Sequence, residues 1–166
     1  MHPKEFKKTK NGTGHFTNLS LKNCEIHIGV DFSQNDTINE IIDHPSNACY
    51  VLYPSEKSIN LNESSIGNKR KNTVVFLIDS TWPCSRSILL HSPNIQRLKK
   101  VSFTHTKVSD FTFKQQPKEY CLSTMESTLC VLELLTEHKL ETLDRQSLDS
   151  FLLPFKKMVK YQLSCE

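Results

Sequence analysis

The chain has 166 residues, 37% hydrophobic and 23% charged, with a net charge of +3: one globular domain, not a disordered chain, and too little charge to mark a polyanion binder by itself. No apolar run approaches the ~18 residues of a membrane-spanning helix, and the start MHPKEFKKTKNGTG lacks a secretory leader's apolar stretch, so a cytoplasmic protein is expected. Six scattered cysteines (Cys24, Cys49, Cys84, Cys121, Cys130, Cys165) without a Cys-x-x-Cys pair read as buried free thiols, with no metal site expected.

In chain order, Leu21–Val30 reads as a strand and DTINEIIDH as a short helix with Asp36 as its N-cap. Ala48–Pro54 is a second strand, closed by its proline. Ser55 to Asn72 is polar and reads as a loop with room for a brief helix. Thr73–Ile78 does not alternate, so both faces are expected to be buried, as in a central parallel strand. A helix follows over Pro83–Leu90, with proline in its first turn, then a short strand over Lys100–Thr104. STMESTLCVLELLTEHKL is the clearest helix, with residues 125, 129, 132 and 135 on one apolar face. Leu143 to Ser164 is a final amphipathic helix interrupted near Pro154. Strands alternating with helices predict an α/β fold with a mostly parallel sheet flanked by helices.

Positive charge gathers in four places: Lys4, Lys7, Lys8 and Lys10; Lys69-Arg70-Lys71; Arg97, Lys99 and Lys100; and Lys156, Lys157 and Lys160. Such clusters suit phosphate contacts, and equally suit a solvated surface.

Three polar motifs punctuate the apolar elements: LYPSE (52–56), DSTW (79–82) and LSTMES (122–127). Each has a plain structural role open to it. Ser123 and Glu126 have capping-box spacing, Tyr53-Pro54 can end a strand, and Trp82 can be core. Asp79 is harder to dismiss, because a carboxylate at the end of a buried strand needs partners or a purpose.

In order and spacing, these motifs resemble the DTW-domain family, whose Asp-x-Thr-Trp matches Asp79, Thr81 and Trp82. The likeness runs over roughly residues 1 to 135. His2, Pro3 and Glu5 match an early His-Pro-x-Glu; GTGHFTNLSL, with Thr13, follows; Leu52-Tyr53-Pro54 and Ser123, Thr124 and Glu126 match later blocks. The resemblance implies a SPOUT-like fold with a C-terminal trefoil knot. It also implies an activity: transfer of the 3-amino-3-carboxypropyl group of S-adenosylmethionine to N3 of a tRNA uridine, leaving methylthioadenosine. On that basis Asp79 is the candidate base, or alternatively holds the donor's ammonium. Leu52, Tyr53, Pro54, Thr81, Trp82, Leu122, Ser123 and Thr124 are candidates for the donor site. Lys7, Lys8, Arg86, Arg97, Lys99 and Lys100 are candidates for RNA contacts. His2, Glu5, Thr13 and Glu126 are assigned to the scaffold.

The chain departs from the family in places. It starts just ahead of the His-Pro-x-Glu block, so a single domain over 1–166 is expected, without the zinc-binding segment of longer members. Pro83, Cys84 and Ser85 follow Trp82 where a basic residue and an alanine are expected. Lys114 stands where many members carry arginine, and Ser127 replaces an alanine. Other readings remain open at this point: a SPOUT-like RNA methyltransferase with the same donor, a non-catalytic RNA-binding relic, and a metabolic enzyme with no RNA partner. Monomer and homodimer are both open.

Overall fold

A computed structural model describes residues 1–8, 12–67, 70–105 and 122–164, the Lys8 side chain excepted. Lys10, Lys69, Lys114, Cys121 and Cys165, named above, lie outside the described residues. Two compact units emerge: Met1–Lys10 with Ile26–Thr104, and Asn11–Glu25 with His105–Glu166.

The first unit is an α/β layer. Its four strands, β1 (Asn47–Leu52), β2 (Ile59–Asn60), β3 (Asn72–Leu77) and β4 (Lys99–Ser102), form one sheet in the order β2-β4-β1-β3. Every pairing is parallel. Helices α1 (Pro3–Lys8), α3 (Asp36–Asp43), α4 (Trp82–His91) and α5 (Pro93–Gln96) belong to the same unit. Ile38, Val51, Ile88, Leu89 and Ile95 form its core, with Phe76 and Ile78 packed against it.

The expected parallel α/β sheet is therefore present, but its centre is elsewhere. β1 lies in the interior of the sheet, with adjacent residues Tyr50 and Val51 both buried; because they point to opposite faces, both faces are covered there. β3 stands at the edge among the described residues and is half-buried through most of its length. Its unbroken apolar run has the composition of a doubly covered strand, yet its only described neighbour is β1.

Leu21–Val30 is not a strand. Its backbone bonds are isolated: the Asn18 side chain reaches the Cys24 carbonyl, the Met1 amine reaches the His27 carbonyl at 2.7 Å, and the Gly29 amide reaches the Met1 carbonyl at 3.2 Å. Beyond it, buried Ser92 takes the Phe32 amide at 3.0 Å and gives its hydroxyl to the Val30 carbonyl. Asp36 is the first residue of α3, not its cap; Asn35 caps, accepting the Ile38 amide at 2.9 Å. The 55–72 stretch contains β2, and α1, α2 (Thr13–Ser20) and α5 are further elements that the apolar pattern does not announce.

The second unit is helical: α2, α6 (Thr124–Glu137), α7 (Arg145–Phe151) and α8 (Leu153–Leu163). Met125, Leu129 and Leu135 of α6 are buried and Leu132 is half-buried, as its spacing predicts. Phe155 of α8 is fully buried and meets Met125, Leu129, Leu148 and Phe151 in one core. The helix break falls at Leu152; Pro154 sits in the first turn of α8, where its missing N–H costs no hydrogen bond. Cys130 is buried, whereas Cys24, Cys49 and Cys84 are free thiols only half-buried, so burial holds for one of the four described cysteines. Burial raises the Cys24 and Cys49 thiols above their ordinary values.

Candidate functional site

Parallel strands put all their carboxyl ends on one edge of the sheet. β1 and β3 run in register from Asn47 beside Asn72 to Leu52 beside Leu77. Tyr53-Pro54 and Ile78-Asp79 therefore leave the sheet side by side. The Tyr53 amide extends the ladder to the Val101 carbonyl of β4 at 3.0 Å.

The turn from β3 into α4 carries Asp79, Ser80 and Thr81. Thr81 holds the N-cap position in extended conformation, but its side chain makes no capping bond. Pro83 in the first turn has no N–H to satisfy, which suits a helix start. Ser85 anchors that turn: its amide meets the Thr81 carbonyl at 2.8 Å and its hydroxyl the Trp82 carbonyl at 2.8 Å. Trp82, at 45% exposure, is not core. Its ring meets Tyr53 edge-on, with centroids 5.9 Å apart and planes at 67°. Such a pair contributes ~0.5–1.5 kcal/mol beyond area burial. It leaves an aromatic surface at the sheet edge.

Behind Asp79 lies the chain's start. The His2 amide donates to the Asp79 carbonyl at 3.1 Å. Buried His2 also caps α1, its Nδ1 accepting the Lys4 amide at 3.1 Å, which puts the neutral ring's proton on Nε2. Pro3 opens that helix and Glu5 lies in its first turn. The His-Pro-x-Glu block is thus a helix start docked on the Asp-x-Thr-Trp turn. The Asp79 carboxylate is close enough to the Met1 amine to oppose, in part, the lowering that burial imposes on that amine.

A third strand end joins this edge. Ser102 closes β4, and its hydroxyl is 2.8 Å from that of Ser58. The Thr104 amide donates to Asn62 Oδ1 at 2.7 Å. The sequence reading missed Ser58 and Ser102. The only signal was the polar Ser-Phe-Thr-His that ends an apolar strand.

The basic candidates are dispersed. Lys7 is exposed on α1 and Arg86 is exposed on α4, one turn beyond Trp82. Arg97 precedes β4 at the amino ends of the strands, opposite the motifs, and pairs with Asp43 at 3.0 Å. Lys99 and Lys100 open β4, the first exposed and the second half-buried.

Leu122, Ser123, Thr124 and Glu126 belong to the second unit, as does Thr13, the first residue of α2. The expected capping box is formed. Ser123 Oγ accepts the Glu126 amide at 3.3 Å, and Glu126 Oε2 accepts the Ser123 amide at 2.8 Å. Glu126 is buried. The Thr128 hydroxyl donates to the Thr124 carbonyl at 2.7 Å. Among the described residues no group of three His, Cys, Asp or Glu is arranged to hold a metal ion, and no helix is long and apolar enough to cross a membrane.

Known proteins resemble this chain over 78% to 98% of its length. The family model described as DTW domain matches residues 1–163. A tRNA-uridine aminocarboxypropyltransferase 2 of Drosophila melanogaster is 32% identical over 170 residues, 98% of this chain and 62% of the fly protein. Proteins of the same name from Mus musculus and Macaca fascicularis are each 28% identical, over 78% and 81% of this chain and 45% and 47% of their own lengths. The chain thus spans less than two thirds of each of these relatives. No solved structure matches it. With the Asp-x-Thr-Trp turn, the His-Pro-x-Glu start and the family match all in place, the chain belongs to the DTW-domain family.

Proposed function

We propose that this chain transfers the 3-amino-3-carboxypropyl group of S-adenosylmethionine to N3 of a uridine in tRNA. One observation carries the reading: an aromatic pair, a carboxylate and a helix start without a side-chain cap share the carboxyl ends of β1 and β3. The names of the relatives support the class of reaction and substrate. The family match spans both units, and we take them as one domain.

These residues fit the donor by chemistry. A helix N-terminus suits a carboxylate, the Asp79 carboxylate suits an ammonium, and the faces of Tyr53 and Trp82 suit adenine or uracil. Leu52 and Pro54 flank Tyr53, and Thr81 adds a hydroxyl. In the second unit, the Ser123 amide is already taken by Glu126, so its hydroxyl is the group left to donate, beside Thr124 and Leu122. The donor supplies an electrophilic carbon next to a sulfonium. The N3–carbon bond forms as the carbon–sulfur bond breaks, and sulfur keeps the electron pair and departs in methylthioadenosine. The N3 proton leaves to a base, the role given to Asp79; its rival role is to hold the donor's ammonium. Lys7, Lys8, Arg86, Lys99 and Lys100 are assigned phosphate contacts, and Arg97 shares its charge with Asp43.

The proposal includes SPOUT relatedness with a C-terminal trefoil knot, which an experimental structure with an unknotted chain path would sink. It also includes a cytoplasmic site of action.

Purified chain is incubated with unmodified tRNA and S-adenosylmethionine labelled in the aminocarboxypropyl carbons, and the digested nucleosides are identified by mass. Label in 3-(3-amino-3-carboxypropyl)uridine, lost in Asp79→Ala, is the expected result. Label that survives Asp79→Ala removes the base assignment, and an unlabelled methylated uridine found by mass in place of the labelled product replaces the reaction with methylation.

A further inference from the structure

The segment that leaves β1 is tied back to the sheet through two neighbouring residues of β4. The first tie is the Tyr53 amide, held by the Val101 carbonyl at 3.0 Å. Pro54 has no amide to donate, and Pro54, Ser55, Glu56 and Lys57 are all exposed. The second tie is Ser58, half-buried, whose hydroxyl lies 2.8 Å from that of half-buried Ser102.

Ser58 also closes the turn behind it. Its amide meets the Ser55 carbonyl at 3.0 Å, its hydroxyl donates to the same carbonyl at 2.7 Å, and the Ser55 amide donates to its Oγ at 3.3 Å. A serine hydroxyl has one proton, and this one is spent on Ser55, so Ser102 is the donor between the two. The contact therefore fastens a closed turn, not a lone side chain, to the residue after Val101. Tyr53 stands just ahead of that turn, packed against the core and edge-on to Trp82. We propose that Ser58 and Ser102 are positioning residues for the donor site, a latch that keeps the Tyr53-Pro54 segment in the geometry that binds S-adenosylmethionine. The inference deepens the proposed function and rests on it for the identity of the ligand. Without the latch the segment divides between docked and undocked forms, and only the docked form binds. Donor affinity then falls with the docked fraction, whereas a saturated enzyme is fully docked and turns over normally.

The test measures the Kd of S-adenosylmethionine by calorimetry, and its KM and kcat in label transfer to unmodified tRNA. It compares wild type, Ser58→Ala, Ser102→Ala, the double variant and Ser102→Thr. Loss of one hydrogen bond is expected to raise Kd and KM about two- to tenfold in Ser102→Ala, with kcat within about twofold of wild type. Ser58→Ala shows at least that loss, and adding Ser102→Ala to it changes nothing further, because the partner is already gone. Ser102→Thr keeps a hydroxyl and restores the wild-type values. Wild type that neither binds S-adenosylmethionine nor transfers label overturns the proposed function and the latch together. Wild type that binds without transferring overturns the reaction alone, and Kd then decides the latch. Ser102→Ala with unchanged Kd and KM overturns the latch alone, and a lowered thermal midpoint in that variant leaves the two serines a purely structural role. Losses that add in the double variant, or Ser102→Thr as weak as Ser102→Ala, also overturn it.

Discussion

Asn94 ties three segments of the first unit together, and its removal tests how they are held. The side chain is buried in α5. Its Nδ2 donates to the Phe32 carbonyl and to Asn39 Oδ1, both at 2.8 Å, and its Oδ1 accepts the Ile95 amide at 3.0 Å. Asn94→Ala removes all three bonds but does not strand all three partners. The Phe32 carbonyl keeps the Asn35 amide at 3.1 Å, and the Ile95 amide keeps the Ser92 carbonyl at 3.0 Å. Only Asn39 Oδ1 is left to find another donor, and Asn39 is half-buried, within reach of water. At ~1 kcal/mol net per bond, the loss is about 2–3 kcal/mol, not the roughly 5 or more of three stranded groups. Urea unfolding followed by the fluorescence of Trp82, the chain's single tryptophan, reads this unit. The midpoint is expected to fall by about 1–2 M. A double-mutant cycle with Asn39→Ala should give a coupling of at least ~0.5 kcal/mol. A loss under ~0.5 kcal/mol, or strict additivity in the cycle, refutes the claim that these bonds hold the segment.

Phe155→Ala empties the centre of the second unit and is expected to cost about 3–5 kcal/mol, seen as a lower thermal midpoint; a loss under ~2 kcal/mol would mean that the core collapses to fill the gap. Asp144 caps α7, and the Ser147 hydroxyl and amide hold its carboxyl below the ordinary carboxylate value. A depressed folded value gives stability that is present above the unfolded value near ~4 and lost as pH falls through the folded one. Asp144→Asn keeps an acceptor but cannot titrate, so its stability gap to wild type should close in acid; a gap independent of pH argues against the cap. The Arg97–Asp43 pair is short at 3.0 Å, but its side chains are 60% and 68% exposed. A double-mutant cycle should find under ~1 kcal/mol, and a larger coupling would contradict solvent screening of this pair.

The elements legible in the sequence are those whose signal is local. β1 and β3 are short apolar runs, Pro83 marks the first turn of α4, and Ser123 with Glu126 marks the start of α6 three residues apart. Leu21–Val30 misleads because Cys24, Ile26 and Ile28 alternate like a strand, while its backbone partners come from elsewhere in the chain. β2 is two residues long and carries no period. α1 and α2 start from a histidine cap and from Gly12, neither of which is a strong helix-start signal. At the site, the closeness of Tyr53 and Trp82 follows once β1 and β3 are parallel neighbours, whereas Ser58 meeting Ser102 depends on the β2–β4 pairing, 44 residues apart. The edge position of β3 among the described strands was hidden because an apolar run records composition and not the number of neighbouring strands.

The strand order has a consequence for synthesis. β1 pairs with both β3 and β4, yet it is the first strand to leave the ribosome. About fifty residues separate Leu52 from the end of β4, so at ~5–20 residues per second the nascent Asn47–Leu52 segment waits on the order of 3–10 s for its second partner. During that interval an apolar strand lacks one of its edges, and the segment is the place where a stalled or truncated nascent chain would begin to aggregate.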